Sequence, residues 1–151
     1  MELLRNTIFH TMTQAMKEAR KEELETLRFL MAQIKNREIE LHKREEGLSD
    51  EETLEVIMRE AKKHRESIAE FKKGDRQDLV QIESNQLKIL ERYLPEQLSE
   101  EKIREEVAKA IQESGASSMK DLGKVMSVLM PNLKGRADGA LVSKLVKELL
   151  S

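Results

Sequence analysis

With 37% charged and 38% hydrophobic residues among 151, two prolines, six glycines and 3% aromatics, the chain has the composition of helices with salt-bridged surfaces, and the predicted fold class is all-α. A net charge of −2 excludes a polycation that grips nucleic acid or anionic lipid with its whole surface, so any such binding must be local. The lack of cysteine excludes disulfides, thiolate catalysis and cysteine zinc sites, and with it goes the expectation of a cytoplasmic protein.

The opening MELLRNTIFHTMTQ carries Glu2 and no uninterrupted apolar run, so it does not read as a secretory signal. Apolar residues return every three or four positions from Leu4 through Ile8, Met12, Ala15, Met16 and Ala19, which predicts a first amphipathic helix. A second is predicted over about 22–44, with Leu24, Leu27, Leu30, Met31, Ile34 and Leu41 inward and Gly47 as the left-handed residue just past its end. Ser49 and Glu52 have capping-box spacing. The helix they start carries Leu54, Ile57, Ala61, His64, Ile68 and Phe71 on one narrow seam, and Gly74 closes it. Asp75 is predicted to cap a fourth helix with Leu79, Ile82, Leu87, Leu90 and Leu94 near its buried side.

Proline restricts the residue before it and has no amide to donate, so YLPEQL at 93–98 breaks the helical pattern. The domain boundary is placed there, giving a helical N-terminal domain over 1–94 and a small three-helix C-terminal bundle over 95–151. In the second part Ser99 caps a helix with Ile103, Val107, Ala110 and Ile111 inward, and Gly115 stops it. Ser118 and Asp121 precede a helix holding Leu122, Val125, Met126 and Leu129, which Pro131 is expected to end. The last helix starts at Asp138 and buries Leu141, Val142, Leu145, Val146 and Leu149. A core this small is expected to lean on the first part or on a partner.

Catalytic motifs are missing from this pattern. The helical di-iron arrangement requires a Glu three residues before each ligating His, where this chain has Thr7, Ile39 and Ala61. There is no H-E-x-x-H, no phosphate-binding G-x-x-x-x-G-K-[ST] and no G-x-S-x-G, so neither a metal nor a cofactor is expected. No apolar stretch approaches the roughly 20 residues that cross a membrane. His64 reads as a hydrogen-bonded packing residue, and Met126 and Met130 as core.

MPNLKGRADGALVSKLV at 130–146 is the chemically varied stretch. Gly135 lets the chain reverse, Asp138 caps the following helix, and Gly135, Asp138 and Gly139 account for a turn. A turn does not need Lys134 or Arg136, and beside a helix N-terminus these cations could hold phosphates, although Asp138 already occupies the cap. The surrounding tail is basic: over 117–151, Lys120, Lys124, Lys134, Arg136, Lys144 and Lys147 outnumber Asp121, Asp138 and Glu148, for a local net of +3. A structural turn and a phosphate-contacting turn both remain open from these residues alone.

The runs ERYLPEQLSEEKI at 91–103 and GASSMKDLGKVMSVLMPNLKGRADGALVSKLVKELL at 115–150, with LRFLMAQIKNREIE in the first half, resemble the YqeY-like family. The C-terminal part of that family is related to the tail domain of the tRNA-holding subunit of the tRNA-dependent amidotransferase. The resemblance implies a helical accessory protein that contacts tRNA or another structured RNA through its tail, with an amidotransferase or aminoacyl-tRNA-related protein as a possible partner. It links the family to carbon–nitrogen ligation with glutamine as amido donor, while the tail is not where those enzymes keep their active sites. Lys134 and Arg136 are the leading RNA-binding candidates, and Lys120, Lys124, Lys144 and Lys147 are further phosphate contacts. The alternative is a non-catalytic protein-interaction module working through the N-terminal helices.

Overall fold

The computed structural model describes residues 2–151, and among these it is all-α, without a strand. Its helices are α1 (Leu4–Lys17), α2 (Lys21–Glu40), α3 (Asp50–Lys73), α4 (Gln77–Glu91), α5 (Glu100–Ser114), α6 (Leu122–Leu133) and α7 (Gly139–Leu150), with a 3-10 turn at Met119–Asp121 leading into α6. The chain divides into two compact units, one ending at Leu94 and the other running Pro95–Ser151.

In the first unit α1 packs on α2, α3 on α4, and α2 touches both members of the second pair. Ile8, Leu27, Leu30, Ile34, Leu48, Ile57 and Leu90 are fully buried between them. The Ser49 box forms as the sequence requires: Glu52 N–H donates to the Ser49 hydroxyl and Ser49 N–H donates to the Glu52 carboxylate. A buried carboxylate fixes the turn between α2 and α3. Glu38 accepts from Leu48 N–H at 3.2 Å and from Arg5 Nη2 at 3.2 Å, while Arg5 Nε lies 3.0 Å from the same carboxylate as a charge contact without hydrogen-bond geometry.

Several boundaries differ from the sequence expectation. Helix α2 stops at Glu40, because His42 takes the left-handed conformation (φ 57°) and Lys43 N–H closes onto the Glu38 carbonyl. Gly47 is left-handed too (φ 78°), but in the loop beyond, where an added Cβ would stand 2.8 Å from Arg5 Cδ. Gly74 has an ordinary φ of −85°, and Asp75 takes the left-handed place instead, so it ends α3 and does not cap α4. Met16 and Ile82, expected inward, are exposed, and α4 buries Val80, Ile89 and Leu90. An apolar residue one step off the seam satisfies the same three-four spacing, which is why periodicity alone misplaces them.

In the second unit α5, α6 and α7 contact one another in every pairing, around Ile103, Val107, Val125, Leu129, Val142, Leu145 and Val146. Ser99 caps α5 and Gly115 (φ 71°) ends it. The box of Ser118 and Asp121 forms around the 3-10 turn. Leu149 is exposed and Leu150 buried, again one step from expectation. Pro131 does not end α6 but sits inside its last turn. Lacking N–H, it forfeits only the bond to the Ser127 carbonyl, on an exposed residue, and Lys134 N–H still closes the turn onto Met130 O at 2.9 Å.

Candidate nucleic-acid interface

Helix α6 runs out at Leu133, and the chain must reverse before Asp138 to lay α7 back on the core. The reversal is made by Gly135 at φ 80°, a conformation that costs an L side chain but not glycine. Arg136 and Ala137 N–H both donate to the Leu133 carbonyl, at 2.9 and 3.1 Å, so the turn is closed by main-chain bonds. Asp138 then accepts from Ala140 N–H at 3.2 Å and caps α7. The cap is therefore taken by protein, as the sequence suggested, and an anion at this turn has to meet side chains.

A second stretch of chain locks the turn from outside. Leu98 N–H donates to the Arg136 carbonyl at 2.9 Å. The Gln97 side-chain amide donates to the carbonyls of Gly135 (2.7 Å) and Pro95 (2.8 Å), and the Pro95 ring lies against Gly135, within 3.6 Å of where a Cβ would stand. The two most distinctive runs of the sequence, YLPEQL and KGRAD, are thus one structure.

Beside this lock lies a polar groove of about 690 Å³, lined by Glu96, Gln97, Leu98, Ser99, Lys102, Glu106, Lys109, Asn132 and Arg136. Lys102 and Lys109 stand seven residues apart on α5, two helical turns, and so share its face. Their side chains are exposed, and Arg136 is half-buried. The groove offers three cations, two side-chain amides and two carboxylates, which can meet phosphate oxygens at one point and hydroxyl or amino donors at another.

The six cations singled out in the sequence do not form one cluster. Arg136 lines the groove, whereas Lys134, exposed on the same turn, is not part of its lining. Lys120 and Lys124 lie at the opposite end of α6, which at about 1.5 Å per residue is a separation on the order of 18 Å. There Asp121 is held below its ordinary pKa, first by the Ser117 amide and then by the Ser118 amide and Lys124, against some desolvation. Lys144 and Lys147 are exposed, three residues apart along α7. Next to Lys147, Glu148 is bridged at 3.2 Å by Arg104, which also reaches Glu100. Lys102, Lys109, Gln97 and Asn132 go unnoticed in the sequence. The signal is there in the seven-residue spacing of the two lysines, hidden among the alternating charges of EEKIREEVAKAIQES. Among the described residues no set of His, Asp or Glu side chains converges as a metal site.

The sequence profile described as Yqey-like protein matches residues 5–150, nearly the whole chain. The chain belongs to the YqeY-like family. It is 32% identical over 140 residues to altered inheritance of mitochondria protein 41, mitochondrial, of Pyrenophora tritici-repentis, a match covering 90% of this chain and 75% of the relative. The protein of the same name from Kluyveromyces lactis is 38% identical over 68 residues, 45% of this chain and 36% of that one. These names correct the expectation of a cytoplasmic protein, since both relatives are designated mitochondrial. A cysteine-free composition suits any reducing compartment and does not separate the cytosol from an organelle interior.

Proposed function

We propose that this YqeY-like protein is an accessory factor that contacts tRNA or another structured RNA through its C-terminal unit. The observation that carries the reading is the lock on the Arg136 turn. A half-buried arginine on a turn whose backbone is fixed by main-chain bonds and by Gln97 on the Gly135 carbonyl, lining a groove with Lys102 and Lys109, is presented from a more rigid base than a plain turn needs. The groove carboxylates Glu96 and Glu106 would accept from ribose hydroxyls or base amino groups while the cations take phosphate. Lys134, Lys120, Lys124, Lys144 and Lys147 would add outlying phosphate contacts. Within this reading the protein supports an amidotransferase or another aminoacyl-tRNA enzyme, as the family resemblance implies, and works in the mitochondrial compartment for which its relatives are named. Residues 1–94 and 95–151 would act as separable domains, and limited proteolysis that never cuts between Tyr93 and Ser99 would count against that division.

The test is tRNA binding as a function of salt with the full chain. Each lost phosphate contact makes the log–log slope shallower by about 0.9 on duplex and about 0.7 on single strands. Lys134→Ala with Arg136→Ala, and separately Lys102→Ala with Lys109→Ala, should weaken binding and flatten the slope. If all four substitutions together leave tRNA affinity at the parent's value, the reading fails.

Phe9 and Met16, exposed seven residues apart on one face of α1, favour a second reading, a protein-interaction module. Retention of a protein partner that is lost in a Phe9→Ser, Met16→Ser variant, with no RNA bound, would select it.

A further inference from the structure

We propose that the cavity among α2, α3 and α4 in the first unit binds a small organic cation, a protonated amine carrying an apolar or aromatic body. This is independent of the RNA reading. The cavity measures about 300 Å³, at the small end of the range for ligand pockets, and is lined by Glu25, Thr26, Phe29, Leu30, Glu60, His64, Gln86 and Leu90.

Its chemistry is one-sided. Leu30 and Leu90 are buried core residues and supply an apolar floor. Phe29, the one aromatic side chain on its helix, lines the cavity and leaves 56% of its surface exposed, so its ring is open to a ligand. Among the described residues no lysine or arginine lines the cavity, and two carboxylates do. The Glu60 side chain is only 5% exposed. Its ion-pair partner is Lys63, whose Nζ holds Oε1 at 3.1 Å and whose side chain is mostly in solvent. His64 is held by Glu83 through Nδ1. The Thr26 hydroxyl is spent on the Glu22 carbonyl at 2.8 Å.

What remains is a set of acceptors above an apolar floor with a phenyl ring at the edge. An ammonium group meets Glu60 Oε2, the oxygen that Lys63 does not hold, and the exposed Glu25, its body covers Leu30 and Leu90, and the face of Phe29 adds a cation–π or stacking contact. An anion of the same shape would meet the buried Glu60 carboxylate, whose one cationic partner, Lys63, does not line the cavity.

The experiment is a titration of the isotopically labelled full chain with 2-phenylethylammonium, 3-phenylpropionate and 3-phenylpropan-1-ol, followed by NMR. The ammonium ion should give saturable shifts at Phe29, His64, Gln86 and Leu90, with at least about tenfold weaker binding of the carboxylate and the alcohol, the margin expected for a charge-assisted hydrogen bond. Glu60→Gln keeps the shape and should lose about tenfold in amine affinity. Phe29→Ala alters an exposed side chain without disturbing the core and should lose about threefold. Equal binding of all three probes, no saturable shift, or undiminished amine affinity in Phe29→Ala would overturn the proposal.

Discussion

Gln97 and Gly135, 38 residues apart, are joined by a 2.7 Å hydrogen bond from the glutamine amide to the glycine carbonyl. The same amide nitrogen serves the Pro95 carbonyl at 2.8 Å, so one side chain ties the start of the second unit to the turn that presents Arg136. Gln97→Ala should lower stability by about 1 kcal/mol, the net worth of such bonds at a partly buried site. It should also weaken tRNA binding without changing the salt slope, because no charge is removed. Thermal melts with salt titrations of the same variant check both halves.

Gly135→Val should behave differently from any substitution of its charged neighbours. A β-branched residue at φ 80° is strained, and the Pro95 ring crowds the place its Cβ would take. A loss of roughly 2 kcal/mol in chemical denaturation is expected, against less than about 0.5 for Lys134→Ala on the same turn.

Removing the buried carboxylate of Glu38 by Glu38→Ala should cost about 3 kcal/mol, since it leaves the Arg5 guanidinium without its counter-charge and the Leu48 amide without its acceptor. The exposed pair of Glu70 and Lys73 serves as control, and its loss should register less than about 0.5 kcal/mol. Urea midpoints of the two variants measure the contrast.

Acid should weaken the Ser49 box before it touches the core. Hydrogen bonding from Lys43, then from the Ser49 amide, lowers the Glu52 pKa from 4.5 to about 2 against a smaller desolvation effect. A folded-state pKa below the unfolded one means the contribution is complete above about pH 4.5 and is lost as pH falls toward about 2. The stability difference between the parent and Glu52→Gln should therefore shrink across that interval and vanish below it. A difference that stays constant from pH 6 to pH 2 would refute the assignment.

Helix number, the Ser49 and Ser99 caps and most core positions are legible in the sequence, because each rests on chemistry within four residues: a hydroxyl and an amide, or an apolar stripe. His64 reads rightly as a hydrogen-bonded packing residue, and its ring holds Glu83. What escapes depends on partners distant in sequence. Nothing local to Gln97 announces Gly135, and nothing in α5 says that Lys102 and Lys109 flank Arg136. Helix ends are misplaced where a non-glycine residue turns left-handed, as at His42 and Asp75, since sequence reading expects glycine there.

Those left-handed residues leave the first unit under strain. Ala19, His42 and Asp75, at φ 55°, 57° and 55°, end α1, α2 and α3 with side chains in a region that suits glycine, whereas the second unit uses Gly115 and Gly135 at its own reversals. Each L side chain there stores on the order of 1 kcal/mol, least for aspartate. Ala19→Gly and His42→Gly should therefore raise the melting temperature where most glycine substitutions lower it. The first unit is thus a spring held slightly compressed at three corners, and its tolerance for that load indicates how much reserve the buried Glu38 turn and the α3–α4 pair supply.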